Sequence, residues 1–423
     1  MAAGPVSIYW QPVPNPTPFV NRRLLRLTLV LGALTAIAPM SIDMYLPSLP
    51  ALERAFAADA GSVQLTLAAF FAGLAFGQIM YGPMADRLGR KVPLYAGLVL
   101  YTLASAGCAL APNVATLILL RAAQAVGGCA GAVIARAVVR DLFDAQESAR
   151  MFSLIMLVMG AAPILAPLAG GALLVLLGWR SIFWVLALFG LLVLLGALLW
   201  LPETRSEPSG RDARPESAFK NVARLAADRR FIGFALAGGC AQAGMFAYIS
   251  GSPSVFIDLY GVPAQHYGWL FGTNALGLIA ASQVNRRLLS RHGAQRVLSW
   301  ALAATAVFGA LLSVVAATRV GGLPGLLVPL FGYVATLGLI FPNSTALAMA
   351  SQPEELAGTA SALLGTIQFG AAAIASVTVG VLYDATPLPM TAVISACGVL
   401  GLLANRLLVP AAVRSSAQAR ASE

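Results

Sequence analysis

Twelve long apolar runs constrain this sequence more than any other feature, because each is long enough to cross a lipid bilayer. A bilayer core of about 30 Å requires roughly 20 apolar residues per helix. Within lipid, only helices and closed barrels satisfy all their backbone hydrogen bonds. We therefore predict membrane-spanning helices at 24–46, 63–84, 92–111, 114–138, 151–177, 181–200, 231–251, 267–289, 297–317, 323–348, 357–381 and 388–409.

One long hydrophilic segment divides these runs into six and six. The predicted fold class is an all-α integral membrane protein with twelve transmembrane helices in two six-helix bundles. Proline recurs through the first twenty residues, so we expect a disordered N-terminus there. The predicted boundaries are 1–21 for this cytoplasmic N-terminus, 22–200 for the first bundle, 201–230 for a cytoplasmic linker, 231–410 for the second bundle and 411–423 for a cytoplasmic tail.

The two halves also resemble each other weakly. MADRLGRKVPL at 84–94 aligns with LLSRHGAQRVL at 288–298, which places Gly89 against Gly293. Parallel six-helix repeats are typical of transporters that bind substrate near the membrane midplane.

The basic residues predict the orientation. Lys and Arg outnumber Asp and Glu by 27 to 17, which gives a net charge of +10. When both termini are placed in the cytoplasm, every basic residue except Arg54, Arg121, Arg180 and Arg319 falls inside or next to a cytoplasmic segment. This is the arrangement that the positive-inside rule favours, so the charge requires no nucleic-acid partner. We expect a multi-pass protein of the bacterial inner membrane.

Several classes of function lack their motifs. Neither Lys91 nor Lys220 is followed by Ser or Thr, as a phosphate-binding P-loop requires. His266 and His292 lie in predicted loops, and the four cysteines lack metal-ligand spacing. We expect no enzyme activity, cofactor or metal site. A membrane enzyme or receptor without transport remains the rival class, although the chain has no long soluble domain to support it.

Two charged residues remain within predicted spans, Asp43 in the first and Arg121 in the fourth. An acid at a helix centre costs about 2.5–3.5 kcal/mol, so a membrane carboxyl indicates function. Asp43 lies about 25 Å beyond Arg26 along a helix, in the outer half of the membrane at the depth of Arg121. We predict that the two form an ion pair that protonation of Asp43 loosens, with Gln124 on the same face. The alternatives are an Asp that reaches water and an Arg held by backbone carbonyls.

Two further strings predict close helix packing. GPMADRLGRK, residues 82–91, follows the second helix, and its glycines allow a tight turn. A second cytoplasmic charge cluster could dock against it; this cluster contains Arg136, Arg140 and Asp141. PILAPLAGG interrupts the fifth helix with residues that kink it and let a neighbour approach. These residues are Pro163, Pro167, Gly170 and Gly171.

Together these strings resemble the major facilitator superfamily, and within it the drug/proton antiporters of the bicyclomycin-resistance (Bcr/CflA) branch. LLRAAQAVG resembles the fourth-helix motif and APLAGG the antiporter motif, with Ala125 and Ala166 where glycine is usual. IDMYLP, GWRSIFW, LPET, YISGSP and FPNSTALAM are similar to the branch itself. GPMADRLGRK resembles the loop motif, with matches at Gly82, Asp86, Arg87, Gly89, Arg90 and Lys91.

The resemblance implies a monomeric alternating-access transporter in which Asp43 and Arg121 couple transport to protons. Members export bicyclomycin, sulfonamides, chloramphenicol-like drugs or small metabolites. We therefore expect an antiporter that exports small amphipathic molecules in exchange for protons; the alternative is a proton-coupled symporter or facilitator that imports a metabolite. The residues predicted to contact substrate are Asp43, Tyr45, Arg121, Gln124, Phe246, Tyr248, Asn274 and Gln368.

Overall fold

The computed structural model describes residues 22–143, 145–204, 215–353 and 356–409. These ranges are almost entirely helical and contain no β-strand. The predicted disordered N-terminus, the middle of the linker and the predicted tail lie outside the described residues.

The first bundle contains six long helices and a short amphipathic one. The long helices are α1 (Arg22–Asp43), α3 (Ala60–Leu88), α4 (Lys91–Ala109), α5 (Val114–Leu142), α6 (Ala145–Leu177) and α7 (Trp179–Trp200). A 3-10 helix, Leu46–Ser48, and the short α2, Leu49–Phe56, follow α1. The apolar run at 24–46 therefore ends in a break that periodicity did not predict.

The second bundle has the same number of long helices. They are α9 (Arg229–Pro253), α10 (Ala264–His292), α11 (Ala294–Thr318), α12 (Gly322–Ala350), α13 (Ala357–Val381) and α14 (Leu388–Leu408). A π-helix, Ser254–Leu259, continues α9, and the linker contains α8, Pro215–Ala227. The first bundle and the second bundle thus each contain six long helices among the described residues.

Eleven helices among the described residues are both long and apolar enough to span a bilayer. The one predicted span that is not among these eleven is the eighth in chain order, α10. It has 29 residues but is less apolar, because it carries Gln283, Asn285, Arg286 and Arg287 near its end. Elsewhere large apolar side chains point outwards: Leu119 is 73% exposed and Leu176 is 77% exposed. Such surfaces are stable only against lipid.

Helix ends follow from local sequence. Asn113 and Asp59 cap α5 and α3, accepting backbone N–H groups at 2.9 Å from Thr116 and Ser62. Gly89 ends α3 with φ +85° and Gly293 ends α10 with φ +73°, a backbone region that favours glycine. The two glycines that the sequence aligns therefore end the second long helix of each bundle.

The bundles meet through two helix pairs, α3 with α13 and α6 with α10. We call the side that carries Leu201 and Asp228 the linker face, and the other side the opposite face. At the opposite face a Cβ on Gly61 would lie 2.7 Å from the carbonyl oxygen of Gly380. A Cβ on Gly171 would lie 2.7 Å from that of Ala264. The bundles are in backbone contact there, so this conformation is closed at the opposite face.

Candidate functional site

Asp43 is the last residue of α1, at the point where the helix breaks. Pro39 lies inside α1, and Pro47 is the second residue of the following 3-10 helix. Proline removes a backbone donor and bends a membrane helix, so the chain changes direction around Asp43. The Asp43 side chain is only 5% exposed, although it lies near the opposite face.

Arg121 lies within the first bundle and is fully buried. Its Nη1 donates to the carbonyl oxygen of Ser41 at 3.1 Å and to Oε1 of Gln124 at 2.7 Å. Its guanidinium carbon lies 4.5 Å from the ring centre of Tyr45 and 4.2 Å from that of Phe70. Aromatic faces attract a desolvated cation, so the two rings partly replace an anion. Nε and Nη2 have no hydrogen-bond partner among the described residues.

The predicted ion pair between Asp43 and Arg121 is wrong for this conformation, since no salt bridge joins these two described side chains. The physical reason is helical phase. The carbonyl oxygen of Ser41, within α1, and the ring of Tyr45, two residues beyond the end of α1, both contact Arg121. Asp43 lies two residues from each, and residues at that spacing do not share a helix face. Arg121 reaches the chain two residues before Asp43 but not the Asp43 side chain, and the backbone carbonyl of Ser41 accepts its hydrogen bond.

Asp43 instead faces the second bundle. It lies near Tyr248 and Tyr267, the 3-10 helix that follows it contacts α9 and α10, and it forms no ion pair or hydrogen bond with a described residue. Tyr248 accepts a hydrogen bond from Nδ2 of Asn274 at 3.1 Å and stacks on Phe271, with ring centres 5.5 Å apart. The carboxyl group therefore lies between the bundles, beside an aromatic and polar cluster.

Three polar residues that the sequence analysis did not predict lie next to Arg121 and Gln124: Ser41, Tyr101 and Ser105. Nε2 of Gln124 donates to Oγ of Ser105 at 2.8 Å. Ser41 and Tyr101 join their hydroxyl groups at 2.7 Å. All are fully buried, and burial of polar groups is tolerated only when they are bonded. In the sequence, the signal for these polar groups was Ser41, which lies four residues before Tyr45.

The structure separates the predicted substrate-contacting residues into two groups. Tyr45 and Gln124 are buried inside the first bundle with Arg121, and the Tyr45 hydroxyl bonds Thr66 at 2.7 Å. The remainder lie on or near the junction of the bundles. Phe246 packs on Phe71 at 4.2 Å between ring centres; the others are Asp43, Tyr248, Asn274 and the half-buried Gln368.

The two glycines of APLAGG, Gly170 and Gly171, contact different bundles. A Cβ on Gly170 would lie 2.0 Å from the carbonyl oxygen of Met44, directly after Asp43. Gly171 faces Ala264 of α10, as described above. Pro163 and Pro167 lie earlier in the same helix, α6. This motif therefore brings α6 into contact with the break after α1 on one side and with the second bundle on the other.

The loop motif takes part in a bonded network on the linker face. Arg90 donates from Nε to Oδ2 of Asp141 at 2.9 Å, which confirms docking against the second charge cluster. Glu203, in LPET, accepts the backbone N–H groups of Arg90 at 2.9 Å and Lys91 at 3.2 Å. Thr204 donates to Asp141 at 3.1 Å. The sequence did not predict that LPET binds the loop.

The other residues of these two clusters differ in their surroundings. Gly82 faces open space, and a Cβ on Gly89 would lie 3.2 Å from the Glu203 carboxylate. Arg87 is an exposed residue of the last turn of α3. Arg136 donates to Gln78 at 3.4 Å rather than to the loop. The side chains of Asp86 and Arg140 lie outside the described part of the structure.

Curated relatives match most of this chain. The MFS-type transporter YdgK of Bacillus subtilis is 38% identical over 92% of this chain and 96% of its own length. The bicyclomycin resistance protein homolog of Haemophilus influenzae is 32% identical over 92% and 97%. A chloramphenicol resistance protein of Pseudomonas aeruginosa is 28% identical over 81% of each chain.

Solved structures share the fold at lower identity. A D-xylose-proton symporter superposes with a TM-score of 0.76 at 17% identity, covering 92% of this chain and 98% of its own. The xylose transporter XylE from E. coli, in a partially occluded inward open conformation, gives 0.70 at 15% identity with the same coverage. The family model described as the Major Facilitator Superfamily matches residues 31–376. The chain is thus a transporter rather than an enzyme, and it belongs to the major facilitator superfamily, among the relatives of bicyclomycin and chloramphenicol resistance proteins.

Proposed function

We propose that this protein is a proton-coupled exporter of small amphipathic drugs or metabolites in the bacterial inner membrane. It works as a monomer by alternating access, with the linker face and both termini in the cytoplasm. The observation that carries the proposal is the position of Asp43, a buried carboxyl without a cation between two bundles. The names of the relatives support drug export rather than another cargo.

Burial favours the protonated form of Asp43. A charged carboxylate without a partner is costly to remove from water, so a bound proton stabilises the arrangement closed at the opposite face. Separation of α6 from α10 would admit water to the carboxyl and favour its ionised form. Proton binding from outside would therefore promote closure at that face, and release to the cytoplasm would allow the return step.

Arg121 completes this cycle on the other side of α1. Its Nε and Nη2, the two nitrogens without a described partner, are costly to bury, and a carboxylate is the group that would satisfy their N–H groups. A rotation of the short segment around Asp43 would bring the ionised carboxyl towards Arg121 in the conformation open at the opposite face. The pair predicted from sequence would then belong to that second conformation.

Everted membrane vesicles test the proposal, because they expose the cytoplasmic side and acidify their interior. We expect the wild type to accumulate bicyclomycin or chloramphenicol when the gradient is applied, and Asp43→Asn to lose this uptake by at least tenfold. Arg121→Ala should lose coupling as well. Asp59→Asn is the matched control, since Asp59 is an exposed acid at the opposite face that only caps α3.

Full gradient-driven uptake by Asp43→Asn would overturn the proton site. Gradient-driven movement of the compound out of everted vesicles would overturn export and favour the importing symporter. No proton-driven flux of any drug in the wild type would reject the proposed function as a whole.

A further inference from the structure

The linker helix α8 presents a basic surface that the transport cycle does not use. Leu225 is fully buried and α8 packs on α9 and α13, so one side of the helix is fixed to the second bundle. Lys220 and Arg224 lie one turn apart on another side, and both are exposed. Two exposed arginines, Arg229 and Arg230, follow in the first turn of α9.

The described acids leave this basic surface uncompensated. No described carboxylate forms an ion pair with any of its four cations. Asp228, the acid within 220–230, is already bonded: it accepts the backbone N–H groups of Arg230 and Phe231 and the amide of Gln352. A surface with this excess charge attracts a multivalent or extended anion.

Apolar side chains flank the same surface. Val222 is 37% exposed, and Ala223 and Ala226 are exposed too. Helical phase places Val222 and Ala226, which are four residues apart, on the side of α8 away from Lys220 and Arg224, while Ala223 lies between the two sides. A helix with one basic and one apolar side, immediately before a membrane span, has the composition of a helix that lies in the headgroup layer. Nucleic acid would satisfy the cations but not the apolar side.

We infer that Lys220, Arg224, Arg229 and Arg230 bind the phosphate groups of anionic phospholipid in the inner leaflet, which holds the linker at the membrane surface. This rests on the proposed orientation, with the linker face in the cytoplasm. Each basic residue near an anionic leaflet strengthens binding about fivefold. The headgroup supplies the phosphate, and the acyl region accepts the apolar side of α8.

The test uses the purified full-length chain in neutral detergent and follows its thermal unfolding during lipid titration. We expect phosphatidylglycerol to raise the unfolding temperature while phosphatidylcholine does not. The double variant Lys220→Gln with Arg224→Gln should require at least tenfold more phosphatidylglycerol for half the shift. The matched control neutralises Arg180 and Arg319, two exposed cations of the opposite face, and should titrate as the wild type does.

A charge-preserving variant, the double Gln variant and two further titrants decide between the outcomes. Exchange of Lys220 for Arg and Arg224 for Lys keeps both charges and should restore the wild-type titration, which separates charge from folding defects. An equal shift with phosphatidylcholine, or an unchanged titration in the double Gln variant, would overturn the inference. An equal shift with inorganic phosphate alone would assign the surface to free phosphate instead of lipid. These readings need no transport, so they remain decisive even if drug export is not observed.

Discussion

At the scale of single residues, Gly170 and Asp43 depend on one another. The backbone of α6 can approach Met44 only because position 170 has no side chain. This approach packs α6 against the chain directly after Asp43. The APLAGG motif, which the sequence indicates as a helix-packing motif, is therefore also part of the environment of the proposed proton site.

Gly170→Ala should accordingly destabilise the packing of α6 against the break after α1. The added carbon would overlap a backbone oxygen, which cannot move aside as a flexible side chain can, so we expect a cost of about 1–3 kcal/mol. Thermal unfolding and vesicle uptake should both decrease. Gly82→Ala is the control, because nothing lies within 4 Å of its Cβ position. Equal effects of the two substitutions would contradict this explanation.

The sequence identified Asp43 and Arg121 because charge is rare within apolar runs, but it misplaced their contact. Depth along a helix follows from residue number, whereas the face depends on phase, and the break after Asp43 interrupts the phase. Arg121 donates to the backbone carbonyl of Ser41, and the sequence could not identify this acceptor because every residue has such a carbonyl. The involvement of Tyr101 and Ser105 required knowing how α4 packs on α5.

At the scale of elements, the end of α7 is bonded to the beginning of α4. Glu203 satisfies two N–H groups that a helix N-terminus leaves without partners, and its charge lies at the positive end of the helix dipole. Asp141 then joins Arg90 and Thr204. The three helices that reach the linker face here are therefore held together.

Glu203→Gln should loosen this junction. The amide retains one acceptor but loses the charge, at a cost of about 0.3–2 kcal/mol. Hydrogen–deuterium exchange at the amides of residues 90 and 91 should become faster by about twofold to about thirtyfold. Glu53→Gln, a change of the same type at the opposite face, should leave these amides unaffected. Unchanged exchange in Glu203→Gln would show that water replaces the carboxylate without loss.

The long helices were predictable because lipid requires continuous apolar segments, and the described spans begin and end within several residues of the predicted ones. The short elements were not. The helix α2 and the π-helix Ser254–Leu259 have no apolar run of their own, and contacts between the bundles position them. Length and composition do not contain that information.

At the scale of the whole molecule, the proposed alternating access requires the bundles to separate at the closed opposite face during transport. Gln64 of α3 donates to Ser254, at the end of α9, at 3.5 Å across the junction. A cross-link between these positions should therefore hold the protein in the conformation described here.

We expect Gln64→Cys with Ser254→Cys, in a background without the native cysteines, to lose at least tenfold in vesicle uptake after oxidation and to recover on reduction. The control pair, Gln295→Cys with Asn405→Cys, lies at 3.4 Å within the second bundle and should transport in both states. Full uptake by the cross-linked first pair would rule out rigid alternation of the two bundles.

The backbone contacts at the opposite face have a consequence for evolution. A surface built from Gly61, Gly171 and Gly380 accepts almost no larger residue, so selection will preserve it while the cargo changes. Aromatic positions such as Phe246 and Tyr248 carry no such restriction, because other side chains of similar volume can replace them. If the protein exports drugs as proposed, populations that adapt to a new antibiotic should therefore acquire substitutions at the aromatic positions first and leave the glycines untouched.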